Sequence, residues 1–168
     1  MSRLHQMQIS FIPIQDRLLF KINTLDKQEY QFWLTRRYVK LLWARLLELL
    51  EETHNVRHSD QQTKSAILSF QHESMVSKAN FQTQYQGEST QTPQEPILLS
   101  KLGLKKRQEG GQLLCLYPEK GQGIEFQFDE MMLHSLCKLL SESTQHAEWG
   151  LNLKIMILTT KPTPQQMN

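Results

Sequence analysis

The residues of this chain best suited to chemistry are its histidines and cysteines, and along the sequence they stand in pairs that lack a further partner. His54 and His58 lie four apart and offer two imidazole nitrogens from one helical turn. A metal ion needs a third or fourth ligand, and the neighbouring segment supplies only Asp60 and the distant His72. The sequence therefore assigns no metal site and no cofactor, and the histidine pair reads as part of a solvated polar stretch. His134 and Cys137, three apart, have the types of a base and a thiolate. A mid-helix cysteine has neither oxyanion donors nor a helix N-terminus to activate its sulfur, so Cys137 reads as a core residue. Gly110-Gly111 and Gly121-Gln122-Gly123 fall in hairpin turns and open no helix, which makes them turn residues rather than a phosphate cradle. Glu51-Glu52 beside His54 has no partner that the sequence can place, so no acid/base pair and no catalytic residue is named.

The charged residues carry one broken rule. The amphipathic stretch 35–52 begins with Arg36, Arg37 and Lys40 and ends with Glu48, Glu51 and Glu52. The helix dipole favours the reverse, by about 0.3–1 kcal/mol per exposed charge. Arg36, Arg37 and Lys40 are accordingly candidates for holding a phosphate, another anion or an acidic partner surface. The alternative is that the two arginines pair with Asp16, Asp26 or Glu29 of the preceding hairpin. A second basic cluster, Lys105-Lys106-Arg107, ends a strand before a hairpin turn. With Tyr30, Trp33 and Tyr38 the two clusters would make a sheet surface that stacks bases and neutralises phosphates, against the alternative that Tyr30 and Phe32 pack under the helix.

The elements that must position these residues are marked by a change of hydrophobic period. In residues 28–52 Tyr30 and Phe32 share one face of a strand; after Thr35, Val39, Leu42, Leu46 and Leu49 recur at helical spacing. Thr35 is the expected N-cap. The same arrangement returns when Glu125, Phe126, Gln127 and Phe128 repeat Glu29, Tyr30, Gln31 and Phe32, and Asp129 takes the place of the cap. Leu133, Leu136 and Leu140 then fall opposite Val39, Leu42 and Leu46. The match raises internal duplication, against chance similarity of two hairpin-plus-helix units.

The whole reads as one α+β domain over residues 1–168, built from two antiparallel β-meander-plus-helix halves at 7–52 and 97–149. Pro13 favours an edge position or a bulge in the first strand. Between the halves, 60–81 has loosely helical spacing and 82–96 the composition of a flexible linker. Residues 151–158 alternate as a final strand that would complete one sheet, and 161–168 read as a disordered tail.

Composition narrows the function classes. Nineteen Lys and Arg against 17 Asp and Glu leave a net charge of +2, too small for the whole-protein field of many nucleic-acid binders, so any basic surface is local. Two cysteines make no disulfide framework and suit a reducing compartment. No apolar run approaches the roughly 18–20 residues of a membrane span, so no membrane association and a cytoplasmic location are expected.

The combination FWLTRR, FQHESMVSKANF and GQGIEFQFDEMMLHSLCKLL resembles a set of short bacterial proteins of no assigned activity. In element order alone, two meander-plus-helix halves resemble the Whirly and Pur-alpha proteins, which bind single-stranded nucleic acid on their sheets. Those families have four strands per half where this chain has three, and none of their motifs matches residue by residue. The expected function is a non-catalytic interaction or scaffolding module with a protein partner or a homodimer. Binding of single-stranded nucleic acid is the alternative, and an enzyme with dispersed site residues the second.

Overall fold

Each half of the chain opens with three short strands whose side chains alternate between a buried and a wetter face. In β2 (Arg17–Thr24), Leu18, Phe20 and Ile22 are fully buried while Arg17, Leu19 and Lys21 are not. This strand pairs antiparallel with β1 (Ser2–Ile12) and β3 (Glu29–Leu34), making the first meander. The second meander runs through β4 (Ile97–Lys106), β5 (Gln112–Pro118) and β6 (Ile124–Phe128). Gly110 and Gly111, at φ 90° and 81°, make the β4–β5 turn in a region that side chains disfavour. The computed structural model describes residues 2–87 and 95–155.

The two meanders close on each other as a six-stranded barrel. Two short parallel seams join them, β3 to β4 through Phe32–Ile97 and Trp33–Leu98, and β6 to β1 through Phe126–Ser2 and Gln127–Arg3. Phe20, Phe32 and Phe126 fill the interior with Leu114 and Leu116. The rings of Phe32 and Phe126, one from each half, meet edge to face at 6.2 Å and 82°.

A helix follows each meander: α1 (Arg36–Thr53) after the first and α3 (Glu130–His146) after the second, with α2 (Gln61–Lys78) between them in sequence. The expected caps form, Thr35 accepting from the Tyr38 amide at 3.1 Å and Asp129 from the Met132 amide at 2.9 Å. Val39, Leu42, Leu46 and Leu50 line the buried side of α1, and Leu133, Leu136 and Leu140 that of α3. Burying each of these side chains contributes about 1.5–3 kcal/mol. Each helix packs across a seam onto the first strand of the other half, α1 on β4 and α3 on β1, and the two helices touch each other. The helix α2 lies on α3 and buries only Leu68 completely.

Three expectations change in the folded chain. Residues 151–155 form no strand; the barrel closes through its own six strands, and Leu153 packs into the core instead, its carbonyl accepting from Ser141 at 3.0 Å. Residues 82–87, expected within the linker, are pinned to the barrel, where Asn23 donates to the Gln86 carbonyl at 2.9 Å and the Gln86 amide donates to Gln6 at 3.2 Å. Strand β1 begins at Ser2 rather than residue 7, and Pro13 lies just beyond its end. The rest of the linker at 88–94, the end of the expected final strand and the expected tail lie outside the described residues.

Candidate metal centre

Three helices bring four polar side chains to one partly buried place, with His134 at its bottom. The first is delivered by the way α1 stops. His54 is its C-cap, and Asn55 follows at φ 54°, in the left-handed region that asparagine tolerates. The Asn55 amide returns to the Glu52 carbonyl at 3.2 Å and the Val56 amide to the Glu51 carbonyl at 2.9 Å, with Val56 buried beneath. This paired closure fixes His54 on the last turn. It also takes the chain off the helix before His58, which is exposed.

On α3 the Asp129 cap sets the register of the first turn, so Glu130 and His134, four apart, project from the same face. The Nε2 atoms of His54 and His134 lie 3.2 Å apart, and Glu130 Oε1 is 3.3 Å from the first and 3.9 Å from the second. The three donor atoms all lie within 4.8 Å of one another, close enough to share one ion. A tetrahedral ion bound to nitrogen and oxygen at about 2.0–2.2 Å holds its ligands about 3.3–3.5 Å apart, close to what these side chains already adopt. From α2, His72 completes the cluster by placing Nδ1 3.0 Å from His134 Nδ1. His134 thus uses one ring nitrogen toward the donor trio and the other toward His72.

The electrostatics suit a cation. His134 is fully buried, and its pKa is pushed down to about 4, first by burial and then by the nearby His72 and His54. It is therefore a neutral imidazole at pH 7, the form a metal requires. Burial also lowers the pKa of His72. The end of α1 contributes the negative pole of its dipole and carries no basic residue in the last turn. Glu51 and Glu52 stand there as well, paired with Lys64 at 3.4 Å and Arg57 at 3.0 Å. The Cys137 thiol is fully buried and its pKa is raised by that burial, which leaves it protonated and inert.

The basic residues singled out along the sequence are not gathered into one surface. Arg36, Arg37 and Lys40 are exposed at the start of α1, and among the described residues none of them has an ion-pair partner. The hairpin carboxylates bond elsewhere, Asp16 accepting from Trp149 at 2.7 Å, Asp26 from Ser2 at 3.4 Å and Glu29 from Gln31 at 2.8 Å. Lys105 and Lys106 border the other half of α1, in a groove of about 290 Å³ with Arg45, Glu48 and Glu52. Lys105 pairs with Glu125 at 3.2 Å and Arg107 with Glu109 at 3.3 Å. Two of the three aromatic side chains turn inward: Tyr30 meets Phe126 at 5.2 Å, and Tyr38 is buried with its hydroxyl donating to the Lys101 carbonyl at 3.2 Å, while Trp33 lies on the other face of β3, opposite to buried Phe32 and Leu34.

No protein-family model, no curated protein and no solved structure matches this chain. The sequence did carry one signal of the centre, the spacing of four between Glu130 and His134 on a capped helix. Pairing His134 with Cys137 obscured it, and no spacing along the chain joins His134 to His54, 80 residues away.

Proposed function

We propose that this chain is a non-catalytic binding module that holds one divalent transition-metal ion of the zinc class through His54, Glu130 and His134. The observation that carries the reading is the convergence of two imidazole nitrogens and one carboxylate oxygen at 3.2–3.9 Å from helices of different halves. Two imidazoles favour zinc and its first-row neighbours over magnesium or calcium, which prefer all-oxygen sites. The ion would tie the end of α1 to the start of α3, a scaffolding role across the two halves. Three protein ligands leave a further coordination position for water or for a donor from a protein partner. The cavities of about 660, 290 and 210 Å³ are walled by residues other than the three donors, which suits a module that holds an ion better than a site built around a substrate pocket.

Competition against a chromophoric chelator at pH 7.5 tests the reading. One zinc ion per chain is expected, with affinity falling roughly a hundredfold or more in His54→Ala, Glu130→Gln or His134→Ala; wild-type protein that takes up no zinc, or uptake indifferent to all three changes, overturns it. Binding of single-stranded nucleic acid retains one supporting observation, the exposed Arg36, Arg37 and Lys40 without carboxylate partners among the described residues.

A further inference from the structure

Resting on that metal reading, we propose that His72 is a positioning residue that couples occupancy of the centre to the docking of α2. A neutral imidazole has one N–H. With a metal ion on His134 Nε2, that hydrogen must sit on Nδ1, where His72 Nδ1 waits as acceptor at 3.0 Å. Ligand imidazoles are commonly oriented in this way by a hydrogen bond from their second nitrogen, and loss of such a partner costs about 10–100-fold in affinity. Here the partner belongs to a different helix, so orienting the ligand and docking the helix are one event.

Among the described residues, the helix in question buries little apolar surface completely. Leu68 is its one fully buried side chain, Ile67 packs partly on the core, and Phe70 is 68 % exposed. Besides the His72 contact, Lys64 ties it to Glu51 on α1 at 3.4 Å. The segment that follows α2, residues 79–86, supplies one wall of the cavity of about 660 Å³ whose other walls are β1 and α3. Docking of α2 therefore also fixes the near end of that wall, whose far end Asn23 and Gln6 hold at Gln86. Coupling of this kind is reciprocal: whatever factor the ion adds to α2 docking, docked α2 adds to the affinity for the ion.

Hydrogen exchange and zinc affinity measured on the full chain test the coupling. In the wild type, zinc should slow amide exchange across 61–78 and 79–86. His72→Phe keeps a ring of similar size without the acceptor; it should bind zinc about 10–100-fold more weakly and lose the zinc-dependent protection of α2. His72→Asn places an oxygen near the position of Nδ1 and should restore both effects to within about threefold of wild type. Wild-type zinc affinity in His72→Phe, or zinc binding that leaves α2 exchange unchanged in the wild type, overturns the coupling while the metal centre stands. Absence of zinc binding in the wild type overturns both.

Discussion

The two ends of α1 break the same electrostatic rule and differ in everything else. At the start, Arg36, Arg37 and Lys40 face solvent without carboxylate partners among the described residues, and the nearby Tyr30 and Tyr38 pack on the core. At the finish, the acidic last turn runs into His54, and the fold brings Glu130, His134 and His72 to meet it from two other helices. Reversed charge alone therefore does not mark a site. It marks one where other elements deliver donors to the same point, and an acidic helix end beside two imidazoles is a place where a cation is favoured.

The contrast is sharpened first at the finish. Zinc should raise the melting temperature of the wild type, because an ion that binds only the folded state adds stability as its concentration exceeds Kd, about 2.7 kcal/mol at 100 times Kd. His134→Leu should abolish that gain. Without metal the same change should cost only about 1–3 kcal/mol, because it leaves the His72 Nδ1 and His54 Nε2 atoms without their partner. A larger loss of metal-free stability in His134→Leu would mean that the cluster serves packing alone.

Next in size is the pH response of the metal-free chain. The groups facing His134 are His54 from α1, His72 from α2 and Glu130 from its own helix. The folded pKa of His134, about 4, lies below the ordinary 6.5, so the unfolded chain binds the extra proton more readily. Stability from this group is fully present above pH 6.5 and is lost as pH falls toward 4, by up to about 3 kcal/mol at 1.36 kcal/mol per pH unit. Chemical denaturation in a chelator, at pH 7.5 and at pH 4.5, measures it. A similar loss in His134→Leu would assign the effect to other groups.

The start of α1 should give the smallest effects. Arg36→Gln with Arg37→Gln removes two charges that oppose the dipole, so stability should rise by no more than about 1 kcal/mol or stay unchanged. Neither form should bind mixed-sequence single-stranded DNA at about 100 μM in low salt. Wild-type binding whose logarithm falls by about 0.7 per contacted phosphate per decade of salt, flattened in the double variant, would restore the nucleic-acid reading.

Much of the fold could be read along the chain because its causes are local. Alternation in β2 and β3, the Thr35 and Asp129 caps and the glycine turn at 110–111 are each decided within a few residues. Barrel closure is not local, and the described part of the strand expected at 151–158, residues 151–155, forms no strand: its alternation suits a sheet, but Leu153 packs into the core instead. The candidate centre was less legible still. The spacing of His54 and His58 implies shared helical geometry only if the helix continues, and the left-handed Asn55 ends it between them. What groups His54 with Glu130, His134 and His72 is the packing of α1 and α2 against α3, a tertiary fact with no signature in spacing.

The most direct test is the coordination shell of zinc in the loaded chain, read by X-ray absorption at the zinc edge. Two imidazole nitrogens and one carboxylate oxygen are expected at about 2.0–2.2 Å, with one light-atom donor from solvent, and one imidazole should be lost in His54→Ala. A sulfur ligand at about 2.3 Å, or a shell unchanged in His54→Ala and Glu130→Gln, would contradict the three-donor centre.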